Sequence, residues 1–215
     1  MIFSEEEEKR VVEELLQYSK EQIYKRGDQV YQEDDSPEYL YYIQSGLVGL
    51  TKVTHSGNES LLRIFKPGQF FGHRSLFSEE PYHASAKCLE PTLILAVRRE
   101  KVTETFDAHP RAYYFLSRAL AKELRRAENR SVLVSEAHIT ERVAAALLLF
   151  KKLYPEHLWT RSEIANYCAT RTPTVIKILS ELEKQGAIIQ QRRHIEIKDE
   201  SVLLSHLGEG LDSLQ

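Results

Sequence analysis

The stretch Thr172-Pro173-Thr174-Val175-Ile176-Lys177 combines hydroxyls, an amine and apolar groups in a way that suits reading the edges of base pairs. A lysine ammonium donates to guanine, threonine hydroxyls serve as donor or acceptor, and Pro173 and Ile176 offer apolar contact to a thymine methyl. Ile176 is equally placed to pack against the turn before it. Ser180 shares their face if the segment is helical, because 173, 176, 177 and 180 follow the i, i+3, i+4, i+7 rule. Arg161, Arg171, Arg192 and Arg193 flank this set, and guanidinium groups suit phosphate oxygens. A second set lies upstream, Gly72-His73-Arg74-Ser75 and His83-Ala84, with Cys88 close behind. Arg74 could clamp a small anion or form a structural ion pair on its domain's surface. Imidazole and thiolate also suit iron in a haem or another metal, although His73, His83 and Cys88 have no diagnostic metal-site spacing.

The elements that would position the first set are legible. Thr160-Arg161-Ser162-Glu163 has the form of a capping box, so a helix starts near Arg161, with Ile164, Ala165 and Cys168 at helical spacing. Ala169-Thr170-Arg171 leaves room only for a tight turn. Proline is favoured at the first position of a helix, which makes Thr172 the expected N-cap and Pro173 the expected first residue of a second helix. That helix buries Val175, Ile178, Leu179 and Leu182 and stops at Gly186. Ile188 to Ile197 then alternates around the polar tip Gln190-Gln191-Arg192-Arg193, a hairpin with a basic end. Two short helices and such a wing can place the second helix in a DNA major groove.

Composition sets further bounds. A chain of 215 residues can bury two modest cores. Basic and acidic residues number 29 and 32, but residues 139–198 hold 10 Lys or Arg against 6 Asp or Glu, so this segment is +4 and the remainder −7. A basic segment on an acidic body fits a nucleic-acid binder. The two cysteines, Cys88 and Cys168, are too far apart for a zinc ribbon or a disulfide framework, which fits a reducing cytosol. The start MIFSEEEEKR is acidic where a secretion signal is basic, and no apolar run approaches a membrane span. Ser4-Glu5-Glu6-Glu7 instead predicts a capped helix with the stripe Val11, Val12, Leu15 and Leu16.

From Gln22 to Arg99 short β-type runs alternate with turn residues, the pattern of a small jelly roll able to enclose a ligand, with a hairpin tip at His55-Ser56-Gly57-Asn58. Near Pro110 the period turns helical and persists to about Glu136, roughly 26 residues or about 39 Å. Its seam of Leu116, Leu120 and Leu124 calls for a partner, most simply a second copy of the chain. The expected domains are 1–108, a roll with its N-terminal helix; 109–137, the dimerisation helix; and 138–215, a winged helix-turn-helix. The fold class is α+β.

In that order the KRGDQVY and LYYIQSG strands, the KPGQFFG turn, the long helix after Pro110, RVAAALL and the winged helix-turn-helix resemble the Crp/Fnr family of bacterial transcription regulators. The resemblance covers Gln22 to Ile197. It implies a cytoplasmic, homodimeric regulator that binds double-stranded DNA and contacts RNA polymerase, without catalysis. Its roll would take a small-molecule effector or leave it constitutively active. Cyclic-AMP-binding members follow the turn with Gly-Glu-Leu and later Arg-Ser-Ala, using the Glu for the ribose and the Arg for the phosphate. The matching text is Gly72-His73-Arg74 and His83-Ala84-Ser85, and Ala127-Glu128 stands where members present hydroxyls to the base, so the resemblance argues against cyclic AMP. An iron–sulfur cluster is disfavoured too, since the N-terminal segment lacks cysteine. Where familiar members carry Arg-Glu-Thr-Val-x-Arg, Thr172 to Lys177 has lost the Glu and the first Arg, so the familiar half-site is not expected. Two alternatives stay open: a metal- or haem-dependent cupin-like sensor or enzyme, and a signalling module whose wing binds protein.

Overall fold

The computed structural model describes residues 5–54, 57–192 and 194–207. Ser4 of the first expected capping box, His55 and Ser56 of the expected hairpin tip, and Arg193 lie outside them. Two compact units divide the chain: Met1–Lys52 with Leu62–Glu123, and Val53–Leu61 with Leu124–Gln215.

The first unit is a roll. Strands β1 (Lys20–Tyr24), β2 (Gln29–Tyr31), β3 (Tyr39–Ser45), β4 (Val48–Val53), β5 (Glu59–Phe65), β6 (Phe70–Phe71), β7 (Ser85–Cys88) and β8 (Thr92–Arg98) form two four-stranded sheets, ordered β1-β8-β3-β6 and β2-β7-β4-β5. Side chains alternate between faces along a strand. On β3, Tyr41 and Ile43 therefore enter the roll's interior with Ile94 and Ala96 of β8, Val48 and Leu50 of β4, and Ala86 and Cys88 of β7. The intervening Leu40 and Val97 face outwards and meet helices instead. Those helices are α1 (Glu5–Gln17), α2 (His73–Ser78), α3 (Arg99–Ala108) and the start of α4 (Ala112–Glu136). Val11, Leu15, Leu76, Val102 and Phe106 make this second core, each buried apolar side chain stabilising by about 1.5–3 kcal/mol.

The seam expected on α4 divides. Leu116 is half-buried in the second core, Leu120 is half-buried, and Leu124 is 60% exposed. Each four-residue step turns a helix by about 40°, so Leu116 and Leu124 face directions about 80° apart.

The second unit contains α5 (Ile139–Leu153), α6 (Arg161–Tyr167), α7 (Thr172–Lys184), β9 (Ile188–Gln191), β10 (His194–Ile197) and α8 (Glu200–Ser205). Ala144, Leu147 and Phe150 of α5, Ile164 of α6, four residues of α7 and Leu203 of α8 are buried, and Trp159 stacks on Phe150 at 3.8 Å between ring centroids. The Thr160–Glu163 capping box is formed in both directions. Helix α7 begins one residue earlier than expected: Arg171 is its N-cap, Thr172 its first residue and Pro173 its second. The amide at the second position of a helix has no i−4 acceptor within it, so a proline there costs no hydrogen bond. At the other end Gly186 adopts φ 79°, donating to the Glu183 carbonyl while Ala187 donates to that of Leu182. This Schellman stop needs a left-handed residue, for which glycine has no Cβ penalty. Among the described residues no helix is long and apolar enough to cross a membrane.

Candidate functional site

Helix α7 buries Val175, Ile178, Leu179 and Leu182, and these fix its opposite face. Pro173, Ile176 and Lys177 are exposed there, with Ile176 50% accessible and so not packed against the turn. Thr172 and Thr174 lie half-buried at the edges of that face. Ser180 spends its hydroxyl proton on the Ile176 carbonyl at 3.0 Å, leaving oxygen lone pairs for a donor. Between α6 and α7, Ala169 takes φ 51°, and the Thr170 amide donates to the Ala165 carbonyl at 3.0 Å. A non-glycine residue in this region is strained by roughly 1–2 kcal/mol, which the packing of both helices sustains. Arg171, exposed, stands at the amino end of α7.

The wing is tied to α6 by a polar chain. Arg161 donates through Nη1 to the Arg192 carbonyl and through Nη2 to Gln190 Oε1, both at 2.9 Å. Gln190 in turn donates to the Glu183 carboxylate of α7, at 2.6 Å through its amide and 3.1 Å through Nε2. Arg161 thus spends two donors on holding the wing, and Arg192, with φ 51°, is presented at the exposed tip. At the carboxyl end of α6, Arg130 donates to the Tyr167 carbonyl at 2.8 Å and to the Leu61 carbonyl at 2.7 Å, with its guanidinium 4.6 Å from the Tyr167 ring.

In the first unit, Gly72, His73, Arg74, Ser75, His83 and Ala84 line one recess with Tyr31, Phe65, Tyr82 and Glu123. Gly72 turns the chain into α2 at φ 83°, and a Cβ there would stand 3.1 Å from the Tyr41 ring. Its bareness lets His73 enter the interior, where it is 5% exposed. Glu123 Oε2 meets Arg63 Nη1 at 2.6 Å, His73 Nε2 at 3.2 Å and Arg74 Nε at 3.2 Å. Burial pushes the Glu123 pKa up, yet the His73 hydrogen bond and the charges of His73 and Arg63 outweigh it and hold the group at about 2. Tyr31 and Tyr82 stack at 3.6 Å. The space left is ≈ 20 Å³, room for about one water molecule. His83 points out of the roll's core, its carbonyl accepting from Lys52 at 2.7 Å; desolvation and then the charges of Arg74 and Lys52 lower its pKa.

Residues 21–109 match the cyclic nucleotide-binding domain model and residues 141–205 the Crp-like helix-turn-helix domain model. The chain is 31% identical over 202 residues to the cyclic AMP receptor protein of Thermus thermophilus, covering 93% of both. It belongs to the Crp/Fnr family. A second relative, the CRP-like cAMP-activated global transcriptional regulator of Mycobacterium tuberculosis, is 28% identical over 183 residues, 81% of this chain and 82% of that one. The structure of FixK2 from Bradyrhizobium japonicum is similar with a TM-score of 0.79 at 25% identity, over 89% of this chain and 98% of that one.

Within this Crp/Fnr frame the chain is a DNA-binding transcription regulator, and α6, α7 and the wing lie within its Crp-like helix-turn-helix domain. Glu128, expected in the effector recess, is exposed on α4, and the acidic residue that lines the recess is Glu123. Arg74 forms the structural pair weighed above, with Glu123 as partner. Cys88 lies in the roll core, its thiol pushed up to about 11 by burial, and does not approach His83 in the recess lining. Among the described residues no group of three His, Cys, Asp or Glu side chains is arranged to hold a metal ion. Sequence reasoning missed Glu123, Arg63, Gln190 and Arg130. Arg130 reads as part of a polar interruption in the α4 seam, and nothing in its spacing shows that it spans to two carbonyls.

Proposed function

We propose that this Crp/Fnr regulator acts in the cytoplasm as a homodimer, each protomer reading one half-site with Lys177, Ile176 and Pro173, without catalysis and without cyclic AMP as effector. The observation that carries this reading is that Pro173, Ile176 and Lys177 stand exposed together on a helix whose other face is packed, within the Crp-like helix-turn-helix domain. The composition of this exposed face differs from the guanine- and cytosine-reading pattern of familiar members, so the preferred half-site differs too. Dimerisation is supported by Leu124, an apolar side chain left in water in mid-helix. The Thermus and Mycobacterium relatives are named for cyclic AMP; here His73, Arg63 and Arg74 are all committed to the Glu123 carboxylate, which supports a recess that does not take a cyclic nucleotide. Contact with RNA polymerase once bound to promoter DNA completes the proposal.

Selection of bound sequences from a random duplex pool, followed by titration of the winning site at several salt concentrations, tests the reading. A two-fold symmetric site whose affinity falls steeply with salt is expected. Recovery of no sequence preference would overturn it. Calorimetric titration with cyclic AMP at neutral pH is expected to show no micromolar binding, and such binding would refute the reading of the recess.

A further inference from the structure

The roll recess holds an arrangement that the loss of cyclic-nucleotide contacts does not by itself predict. Three cationic or potentially cationic groups, Arg63 of β5 and His73 and Arg74 of α2, converge on a single oxygen, Oε2 of Glu123. That carboxylate comes from α4, a different element from all three, and is 6% exposed. Its position is that of a bound anion: guanidinium and imidazole donors surround it, and aromatic walls from Tyr31, Phe65 and Tyr82 close the remainder to ≈ 20 Å³. No free anion larger than a water molecule fits beside it. His73 Nδ1, buried and without a hydrogen-bond partner, lies on the ring that holds the carboxylate in this lining.

We propose that Arg63, His73 and Arg74 form a carboxylate-binding site whose resident ligand is the chain's own Glu123, so that the regulator carries its effector-site anion covalently. This deepens, and rests on, the reading of the roll as a domain that works without cyclic AMP. The physical reason is effective concentration. A carboxylate fixed on α4 meets the site as an intramolecular ligand, at effective concentrations of order millimolar or higher, and its orientation is already set by the helix. Free carboxylates in solution then cannot displace it. Removing the Glu123 side chain vacates a space with its cations still in place, and a small monocarboxylate becomes the ligand that fits.

Thermal melting of the full-length protein tests this with acetate as the probe, at constant ionic strength as sodium acetate replaces sodium chloride. Wild type is expected not to respond. Glu123→Ala is expected to melt lower and to recover about 3 °C or more in ~100 mM acetate, as mass action gives for a site with a dissociation constant near ~10 mM. Adding Arg63→Gln and Arg74→Gln to Glu123→Ala should abolish the recovery. An equal response of wild type and Glu123→Ala, or a folded Glu123→Ala with no response, overturns the proposal. Should Glu123→Ala not be recovered folded, Glu123→Gln takes its place: it keeps the packing and loses the charge, is expected to melt lower than wild type, and an equal melting temperature overturns the proposal. Because the readout involves no DNA, its failure leaves the operator-binding reading untouched.

Discussion

Arg63 of β5 and Glu123 of α4 meet at 2.6 Å with only 19% and 7% of their side chains exposed. A buried pair of this kind recovers its desolvation cost only when further hydrogen bonds complete it, and His73 and Arg74 supply them on the same oxygen. Breaking one partner therefore leaves uncompensated buried charge.

Acid stability follows from that geometry. The folded-state pKa of Glu123 is depressed from 4.5 to about 2. A depressed carboxylate contributes stability that is fully present above its unfolded value and lost as pH falls through its folded value, so the window here runs from about 4.5 down to about 2. The contribution is on the order of 3 kcal/mol. Urea unfolding of wild type and Glu123→Gln is expected to differ most at neutral pH and to converge as pH drops through that window. A gap that stays constant down to pH near 2 would show that packing, and not charge, sets the difference.

If the proposed reading of DNA by the exposed Lys177 ammonium holds, Lys177→Ala should cost about 1–3 kcal/mol at one base pair and relax the preference there. Competition titrations with single-base variants of the selected site measure it. Uniform weakening on all variants would make Lys177 a phosphate contact.

Arg161→Ala removes the two hydrogen bonds that hold the wing at Arg192 and Gln190. With net values of about 1 kcal/mol per bond, affinity should fall roughly 5- to 30-fold on every sequence with base preference unchanged. The same titrations check this, and a changed base preference would place Arg161 at a base edge instead.

Leu120→Asp with Leu124→Asp should give monomers by sedimentation and sharply weaker operator binding, since both half-sites must be held at once. Leu116 is left out of the variant because it packs in the roll's helical core, where a charge would unfold the unit. A dimer that survives the double change would move the interface off this face of α4.

Local interactions made much of this protein legible from its sequence. Thr160 and Glu163 cap α6, Gly186 ends α7, and the short β-type runs with turn residues between them mark a roll; each depends on residues within a few positions, so spacing alone reveals it. The exposed face of α7 was legible for the same reason, because four apolar residues at helical spacing fix which side remains in water. The start of α7 was misplaced by one residue, since a proline at the first or second position satisfies the same local constraint. What the sequence could not give is which distant residues share a site. Glu123 and Arg63 stand 60 positions apart, and a polar residue on an amphipathic helix carries no mark of whether it faces water or three cations. Arg161 reads as a phosphate contact, and nothing in its spacing shows that two of its donors also hold the wing. Leu116 reads as one seam with Leu124 until the pitch of the helix turns Leu116 into the second core and leaves Leu124 exposed. Such long-range pairings are chosen by the closing of the roll and the packing of helices on it, because only the folded chain brings those groups within hydrogen-bonding distance.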